Sequence, residues 1–281
     1  IADGTGPVIW ALVSLALATT IIILGVSKGI EKMNKIMMPT LVLILIILVI
    51  NSIFFLPNSQ AGIDFLLHPD FSKITFKTLL AAVGQSFFSL SLGMGAMLTY
   101  ASYIQEKEHL PSTALRVMIF DSSIALLSGL AIFPAVFSFG IDPSSGPHLL
   151  FLTMPNIFQQ IIGGQFLSII FFLFVFLAAI TSQVSLLEVV TAFVSEELKI
   201  KRWKAAIWLL LTMGITGSMC ALSQSDMDIF VFNGHSLFDI FDYVSSNYML
   251  PIGGLLIVIF AGRVMPERIL YSQLTNDNEK K

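Results

Sequence analysis

The chain has few of the residues on which soluble enzymes, disulfide-bonded domains and metal proteins depend. Of its 281 residues, 12% are charged and one is cysteine, Cys220, which excludes a disulfide framework and a cysteine metal site. The four histidines are scattered without ligand spacing, at His68, His109, His148 and His235. The sequence also lacks a phosphate-binding glycine loop, a nucleophile elbow and a basic aromatic patch. These absences argue against an enzyme and against a nucleic-acid partner.

Apolar sequence is abundant instead, because 56% of the residues are hydrophobic. Runs of roughly 20 apolar residues have the length of a membrane-spanning helix. The sequence predicts about seven such spans, at 7–27, 36–56, 78–103, 113–139, 163–195, 203–223 and 236–262. We therefore expect an all-α, multi-pass integral protein of the cell membrane, in contact with lipid.

Lysine and arginine are distributed unevenly between alternate loops. All but two of the 15 basic residues lie in one set of loops, and the other set contains only Lys73 and Lys77. Because basic loops remain in the cytoplasm, we predict an external N-terminus and a cytoplasmic C-terminus for this chain. The first residue is Ile1 and no signal peptide follows it, so we expect a piece of a longer protein.

One external segment, residues 140–162, is too apolar for a free loop. Within it, Leu149–Phe158 is predicted to form a short helix. Its composition fits a re-entrant or capping helix over an external vestibule and a surface helix packed on the bundle equally well.

The predicted span that contains Gly84–Tyr103 is unusually polar in its middle. Its sequence, GQSFFSLSLGMGAMLTYASY, has serines, a glutamine and glycines but no formal charge. An unpaired polar group in hydrocarbon costs several kcal/mol, so ordinary spans avoid such residues. Many secondary transporters build a substrate and ion site from a helix broken near the midplane. From the residues alone, a break around Ser89–Gly95 competes with simple small-residue packing between helices.

Two further spans contain polar residues that need an explanation. Thr181 and Ser182 are adjacent hydroxyls that follow Ala178, and they either bind a ligand or bond back to the helix carbonyls. Asp121 lies a few residues inside its span, where a carboxylate is expensive and points to function. The alternative for Asp121 is solvation at the interface or pairing with Arg116.

Four other carboxylates lie in spans or near helix ends. Glu188 is intramembrane, and we predict a structural ion pair with Arg202 or Lys204, with a proton route as the alternative. Glu196, Asp239 and Asp242 fit equally well as solvated helix-end acids or as functional groups.

Several blocks of sequence occur together in a familiar order: SKGIEKMNKIMMPTL at Ser27–Leu41, GIDFLLHPDFSKI at Gly62–Ile74, AVGQSFFSLSLGMGAMLTYASY at Ala82–Tyr103, GLAIFPAVFSFG at Gly129–Gly140, LTMPNIFQQIIGGQFL at Leu152–Leu167, FLAAITSQVSLLEVV at Phe176–Val190 and LPIGGLL at Leu250–Leu256. In these blocks the chain resembles the neurotransmitter:sodium symporters, and within them the bacterial amino-acid branch with the LeuT fold.

The resemblance implies a LeuT-type inverted-repeat fold, of which this chain is a fragment that contains helices four to ten. Residues 1–77 would hold the last two helices of the first repeat and an external loop. Residues 78–262 would form the second five-helix repeat, and 263–281 a cytoplasmic tail. Helices one to three of the same protein would be the missing partners, so no site in this chain is expected to be complete.

The resemblance also implies two Na⁺ sites and a substrate pocket. The Na⁺ ligands would be Ser89, Asp121, the Ala178 carbonyl, Thr181 and Ser182. The pocket would be lined by Phe88, Ser91, Met94, Ser182 and Leu186. Gln85 matches a position beside the family's chloride or acidic site, and dependence on chloride stays open because no acid follows Asp121 one turn later. Glu196 matches the internal gate acid, and Asp242 the external one, with Asp239 as the competing assignment.

The function implied is sodium-coupled symport of an amino acid by alternating access. Phe88, Met94 and Leu186 favour a hydrophobic or aromatic amino acid. Two alternatives remain: a truncated or split-gene product that does not transport, and a proton-coupled carrier of the same fold. Neutral oxygens at Thr181 and Ser182 argue against the proton-coupled carrier.

Overall fold

The computed structural model describes residues 5–68, 70–103, 109–140, 151, 154–159, 163–225, 229–232 and 234–270. These residues are almost entirely helical, apart from a short antiparallel hairpin of β1 (Val231–Phe232) and β2 (His235–Ser236). The helices are α1 (Thr5–Ile23), α2 (Lys32–Phe54), α3 (Ser59–Leu67), α4 (Phe76–Ser89), α5 (Ala96–Ala101), α6 (Leu110–Ser138), α7 (Met154–Gln159), α8 (Gly164–Glu197), α9 (Arg202–Ser223), α10 (Leu237–Val244) and α11 (Leu250–Ile259).

Wider, π-helical turns extend three of these helices. They lie at Val26–Glu31 before α2, at Ser245–Met249 between α10 and α11, and at Phe260–Val264 after α11. The middle one joins α10 and α11 into one helical stretch, Leu237–Val264. A single 3₁₀ turn, Phe71–Lys73, precedes α4.

Within the described residues, six helical stretches are long and apolar enough to cross a membrane. They correspond to all but one of the predicted spans and are Thr5–Ile23, Gly29–Phe54, Leu110–Ser138, Gly164–Glu197, Arg202–Ser223 and Leu237–Val264. The remaining predicted span, 78–103, is divided between α4 and α5, neither of which is long enough to cross a bilayer by itself.

The chain separates into two compact units that alternate along the sequence. The first contains residues 1–32, 76–118 and 182–281, and the second contains residues 33–75 and 119–181. These units reflect contacts within the chain, so the predicted boundaries between the inverted repeats stay predictions. In the first unit, α1 packs along α9, and α11 packs against α4.

The second unit has its own apolar core. Side chains of α2, α6, α7 and α8 meet there, among them Leu45, Ala135, Phe158 and Phe171. The ring centroids of Phe158 and Phe171 are 5.4 Å apart. Because Phe158 is buried in this core, the described part of the predicted 149–158 helix packs on the bundle. The rest of that prediction, apart from Phe151, lies outside the described residues.

Candidate functional site

The polar span is broken, which is one of the two alternatives that its residues left open. The α-helix stops at Ser89 and resumes at Ala96. Between them, Ser91, Gly93 and Gly95 have φ angles of 54°, 80° and 80°, which is left-handed backbone that a right-handed helix excludes. The residues between the two helices, 90–95, are called the unwound segment below. The Leu90 amide and the Gly95 carbonyl still make α-helical hydrogen bonds, to Ser86 and from Thr99. The backbone between them leaves the regular helical ladder, which is the condition for a broken helix to offer backbone groups to a ligand.

Local hydrogen bonds close both ends of the unwound segment. The Leu92 amide donates to the Phe87 carbonyl at 2.8 Å, which ends α4 in a wide turn. On the other side, the Thr99 amide donates to the Gly95 carbonyl at 2.9 Å and starts α5. The segment therefore has a defined conformation in which glycine supplies the angles that other residues resist.

Glycines of α11 lie directly against the unwound segment. A Cβ added to Gly93 would lie 2.2 Å from the Leu250 carbonyl oxygen. A Cβ on Gly253 would lie 2.2 Å from the Gly93 carbonyl oxygen, and one on Gly254 would lie 2.2 Å from Cε1 of Phe87. No side chain fits at any of these positions without movement, since real Cβ contacts do not fall below 3.0 Å.

The predicted pocket residues face different cavities of the first unit. Met94 and Leu186 line the same cavity of about 720 Å³, together with apolar residues of α1 and α9. Ser91 lines a separate cavity of about 260 Å³ beside α11. Phe88 and Gln85 line a third cavity of about 490 Å³. The structure thus brings Met94 and Leu186 to one cavity and places Ser91, and Phe88 with Gln85, at two others.

Two threonine hydroxyls of α8 donate hydrogen bonds to carbonyls of the same helix. The Thr181 hydroxyl is buried and donates to the Ala178 carbonyl at 2.8 Å, so these two predicted Na⁺ ligands are adjacent. Ser182, the next residue, is exposed, and Leu186 is half-exposed one turn later. The same back-bonding occurs at Thr191, whose hydroxyl donates to the Leu187 carbonyl at 2.7 Å. A bond of this kind does not by itself distinguish a helix hydroxyl from an ion ligand.

Asp121 and Ser89 lie in different compact units. Asp121 is partly buried in the middle of α6, in the second unit, and Ser89 ends α4 in the first. Their predicted pairing around one Na⁺ stays a prediction.

Glu188 is the most completely buried charged residue among those described, with 0% of its surface exposed. It forms an ion pair with the Arg202 guanidinium, and it accepts a hydrogen bond of 2.7 Å from the Tyr103 hydroxyl. Arg202 also donates from Nε to the Ile22 carbonyl at 3.0 Å. The predicted structural ion pair is confirmed, with Arg202 as the partner rather than Lys204.

Two tyrosines that sequence reasoning missed, at the α5 end of the broken span, bond to α8. Besides the bond from Tyr103 to Glu188, the Tyr100 hydroxyl donates to the Ser185 hydroxyl at 3.1 Å. The ring centroids of the two tyrosines are 6.4 Å apart, edge to face. The spacing of three residues indicates that both hydroxyls lie on one face of a helical turn, but it does not identify their partners in α8.

The two candidates for the external gate acid have different surroundings. Asp239 forms a capping box with Ser236: the Asp239 amide donates to the Ser236 hydroxyl oxygen at 3.1 Å, and the Ser236 amide donates to the carboxylate at 3.2 Å. Asp242 is exposed and lines the cavity of about 490 Å³ with Gln85 and Lys77. Asp239 also lines a cavity of about 470 Å³ together with Asp242, so the choice between them as the external gate acid stays a prediction. Glu196, the predicted internal gate acid, is exposed in the last turn of α8.

The two basic residues predicted to lie outside have separate surroundings. Lys73 lies 3.2 Å from Asp70, whose carboxylate also accepts a hydrogen bond from the Ser72 hydroxyl at 2.5 Å. Those hydrogen bonds, Ser72 first and then Lys73, hold the pKa of Asp70 below its usual value. Lys77, in contrast, lines the cavity that contains Asp242, so this cavity has a charge of each sign at its wall.

Comparison with known proteins places this geometry in a family. The model of the sodium:neurotransmitter symporter family matches residues 2–276. An uncharacterized sodium-dependent transporter of Bacillus subtilis, YhdH, is 38% identical over 268 residues, which cover 94% of this chain and 58% of that protein. The sodium-dependent nutrient amino acid transporter 1 of Drosophila ananassae is 29% identical, over 74% of this chain and 35% of that protein.

The fold is also similar to a solved transporter. The crystal structure of MhsT in complex with L-phenylalanine superposes with a TM-score of 0.89 at 38% sequence identity, over 98% of this chain and 62% of that chain. The LeuT-type fold expected from the sequence is thereby confirmed, and the family consists of transporters rather than enzymes. This chain spans about half the length of the curated relatives it matches.

Proposed function

Because this chain belongs to the sodium:neurotransmitter symporter family, we propose that it forms the larger part of a transporter that couples Na⁺ entry to uptake of an amino acid across the cell membrane. One observation carries the proposal most directly. The span 78–103 is interrupted at residues 90–95 with left-handed backbone at Ser91, Gly93 and Gly95, as a midplane substrate and ion site requires.

The ion chemistry follows from the oxygens that the helices present. Ser89 would bind one Na⁺ through its hydroxyl and backbone, with Asp121 as the anionic ligand. The Ala178 carbonyl, Thr181 and Ser182 would bind the second. Neutral hydroxyl and carbonyl oxygens are hard ligands, which suit a small monovalent cation without an anionic cage.

The substrate class is proposed from the cavity and from the relatives. Met94 and Leu186 present apolar side chains to one cavity of about 720 Å³, and methionine adapts its shape to different ligands. The MhsT structure contains L-phenylalanine, and the Drosophila relative is named as an amino acid transporter. A hydrophobic or aromatic amino acid fits both observations.

The rest of the binding site would come from sequence that the relatives have and this chain does not. The chain covers 58% of the Bacillus subtilis relative. Helices one to three of the family would complete both Na⁺ sites and supply the basic partners of the two gate acids. Asp242 would then close the external side and Glu196 the cytoplasmic side, with the N-terminus of this chain outside and its C-terminus in the cytoplasm.

The test is uptake of radiolabelled L-phenylalanine by proteoliposomes that contain the whole product of the gene. We expect accumulation when Na⁺ is higher outside, and none when K⁺ replaces Na⁺. Accumulation driven by a proton gradient in the absence of Na⁺ would instead support the proton-coupled alternative. A protein that neither binds nor accumulates any of the twenty amino acids in Na⁺ would contradict the proposal.

A further inference from the structure

The geometry points to a positioning role for Gly253 and Gly254 of α11: we propose that they set the position of the unwound segment and thereby the affinity of the site for substrate and Na⁺. This inference rests on the proposed function, because the affinities belong to the proposed symport. It extends that function to a helix that contains none of the predicted ligands.

The contact between α11 and the unwound segment is made by backbone on both sides. The Gly93 carbonyl lies over Gly253, and the Leu250 carbonyl lies over Gly93, each 2.2 Å from where a Cβ would be. Close contacts between a glycine Cα–H and a carbonyl oxygen are weakly attractive. The two backbones therefore interlock in both directions, and neither can move toward the other.

A second contact is made by the next residue of α11, on the α4 side of the break. Gly254 faces the ring of Phe87, whose Cε1 would lie 2.2 Å from an added Cβ. The carbonyl of the same Phe87 accepts the hydrogen bond from Leu92 that ends α4. Gly254 is thus in contact with the residue at which the helix opens, and Gly253 with the centre of the segment that follows.

These contacts matter because the segment holds predicted site residues on either side of Gly93. Ser91 precedes it and Met94 follows it. A displacement of the Gly93 carbonyl moves both residues, and a binding site must hold its groups within about 0.5 Å of the productive geometry. The same helical stretch also contains Asp242, which lines a cavity with Gln85 and Phe88 of α4. The helical stretch Leu237–Val264 therefore both contains Asp242 and contacts the unwound segment.

The experiment compares glycine variants of the gene's whole product in equilibrium binding of L-phenylalanine and Na⁺. We expect Gly253→Ala and Gly254→Ala to raise the half-saturating L-phenylalanine concentration roughly tenfold or more. Gly262→Ala is the matched control, since Gly262 follows α11 in the same stretch and a Cβ there meets nothing within 4 Å. It should leave both half-saturating concentrations unchanged.

A rescue links the change in affinity to the contact with Phe87, and it also serves if Gly253→Ala fails to fold. Leucine lacks the ring atom that Gly254→Ala would meet, so Phe87→Leu in that variant should return the half-saturating concentration to within about twofold of the parent. Unchanged affinity in both glycine variants, an equal change in Gly262→Ala, or no rescue by Phe87→Leu would each overturn the inference.

A second readout does not depend on the amino acid at all. In a background without other reactive cysteines, we expect Gly254→Ala to change the rate at which a methanethiosulfonate reagent labels Leu92→Cys, and Phe87→Leu to restore it. If the parent protein fails to bind any amino acid, the proposed function fails while this result still reports on the segment. An unchanged labelling rate in Gly254→Ala contradicts the positioning role.

Discussion

The broken span and α8 introduce polar atoms into apolar surroundings in two different ways. In the broken span, Ser91, Gly93 and Gly95 leave the helix, so that backbone groups become the polar feature. In α8 the helix continues from Gly164 to Glu197, and several of its polar side chains bond within the helix or to neighbouring elements. Thr181 and Thr191 bond back to carbonyls, and Glu188 is paired with Arg202.

The difference shows what each kind of helix requires in order to contain polar groups. An unbroken helix can hold a charge only when that charge is fully paired, which ties α8 to the start of α9 and to Tyr103. A broken helix needs no charge, because its backbone supplies dipoles and carbonyl oxygens. We therefore expect loss of the buried charge in α8 to cost the most stability, a side chain at a left-handed glycine of the break to cost less, and loss of one hydroxyl in α8 to cost the least.

The largest effect is expected at Glu188. Replacing it with alanine leaves the Arg202 guanidinium without its buried partner, which should lower the free energy of unfolding by about 3 kcal/mol. Glu197→Ala, an exposed acid in the last turn of α8, is the matched control. Thermal unfolding in detergent measures both, and equal Tm values for the two variants would show that the ion pair contributes nothing.

A smaller effect is expected in the break. Alanine at Gly95 must adopt a φ of 80°, which should cost about 1–2 kcal/mol, while the nearest side-chain atom, on Val189, is at an ordinary 3.4 Å. Gly84→Ala, at an open helical position of α4, should instead stabilise the protein by up to about 1 kcal/mol. If both variants changed the Tm in the same direction relative to the parent, the break would not depend on left-handed backbone.

The smallest effect on stability is expected at Thr181, where the main effect should be on the Na⁺ requirement. Thr181→Val keeps the shape and removes the hydroxyl, so the half-saturating Na⁺ concentration should rise about tenfold if an interaction worth about 1.4 kcal/mol is lost. Ser182→Ala should behave in the same way. Thr191→Val removes an equivalent back-bond of the same helix and should leave the Na⁺ requirement unchanged. The measurement is the rate of uptake as a function of Na⁺ concentration. If all three variants have the half-saturating Na⁺ concentration of the parent, Thr181 and Ser182 are excluded from the site.

Much of the fold could be predicted because membrane helices are encoded locally. Length and hydropathy predict the six long helical stretches. Serine and glycine at residues 89–95 indicate either a break or small-residue packing, and the structure has the break. The pairing of Glu188 with Arg202 was within reach because the two residues lie 14 positions apart across a short turn. In each case the residues that indicate the feature lie within a few helical turns of the feature itself.

Contacts between distant parts of the chain gave no such signal. Tyr103 meets Glu188 across 85 residues, and only the fold brings them together. The LPIGGLL block identifies Gly253 and Gly254, but it does not show that they lie against Gly93. The spread of Phe88, Ser91 and Met94 over separate cavities was equally hidden, since it depends on the φ angles of the unwound segment.

The packing of α1 along α9 has a consequence for how the protein is made. The bond from Arg202 to the Ile22 carbonyl joins residues 180 positions apart. At ribosomal rates of about 5–20 residues per second, α1 would wait roughly 10–40 s in the bilayer before α9 emerges. A lone apolar helix is stable there because its backbone is bonded internally, so insertion and assembly are separate stages. During biogenesis α1 must therefore find its partner by lateral diffusion among helices already inserted.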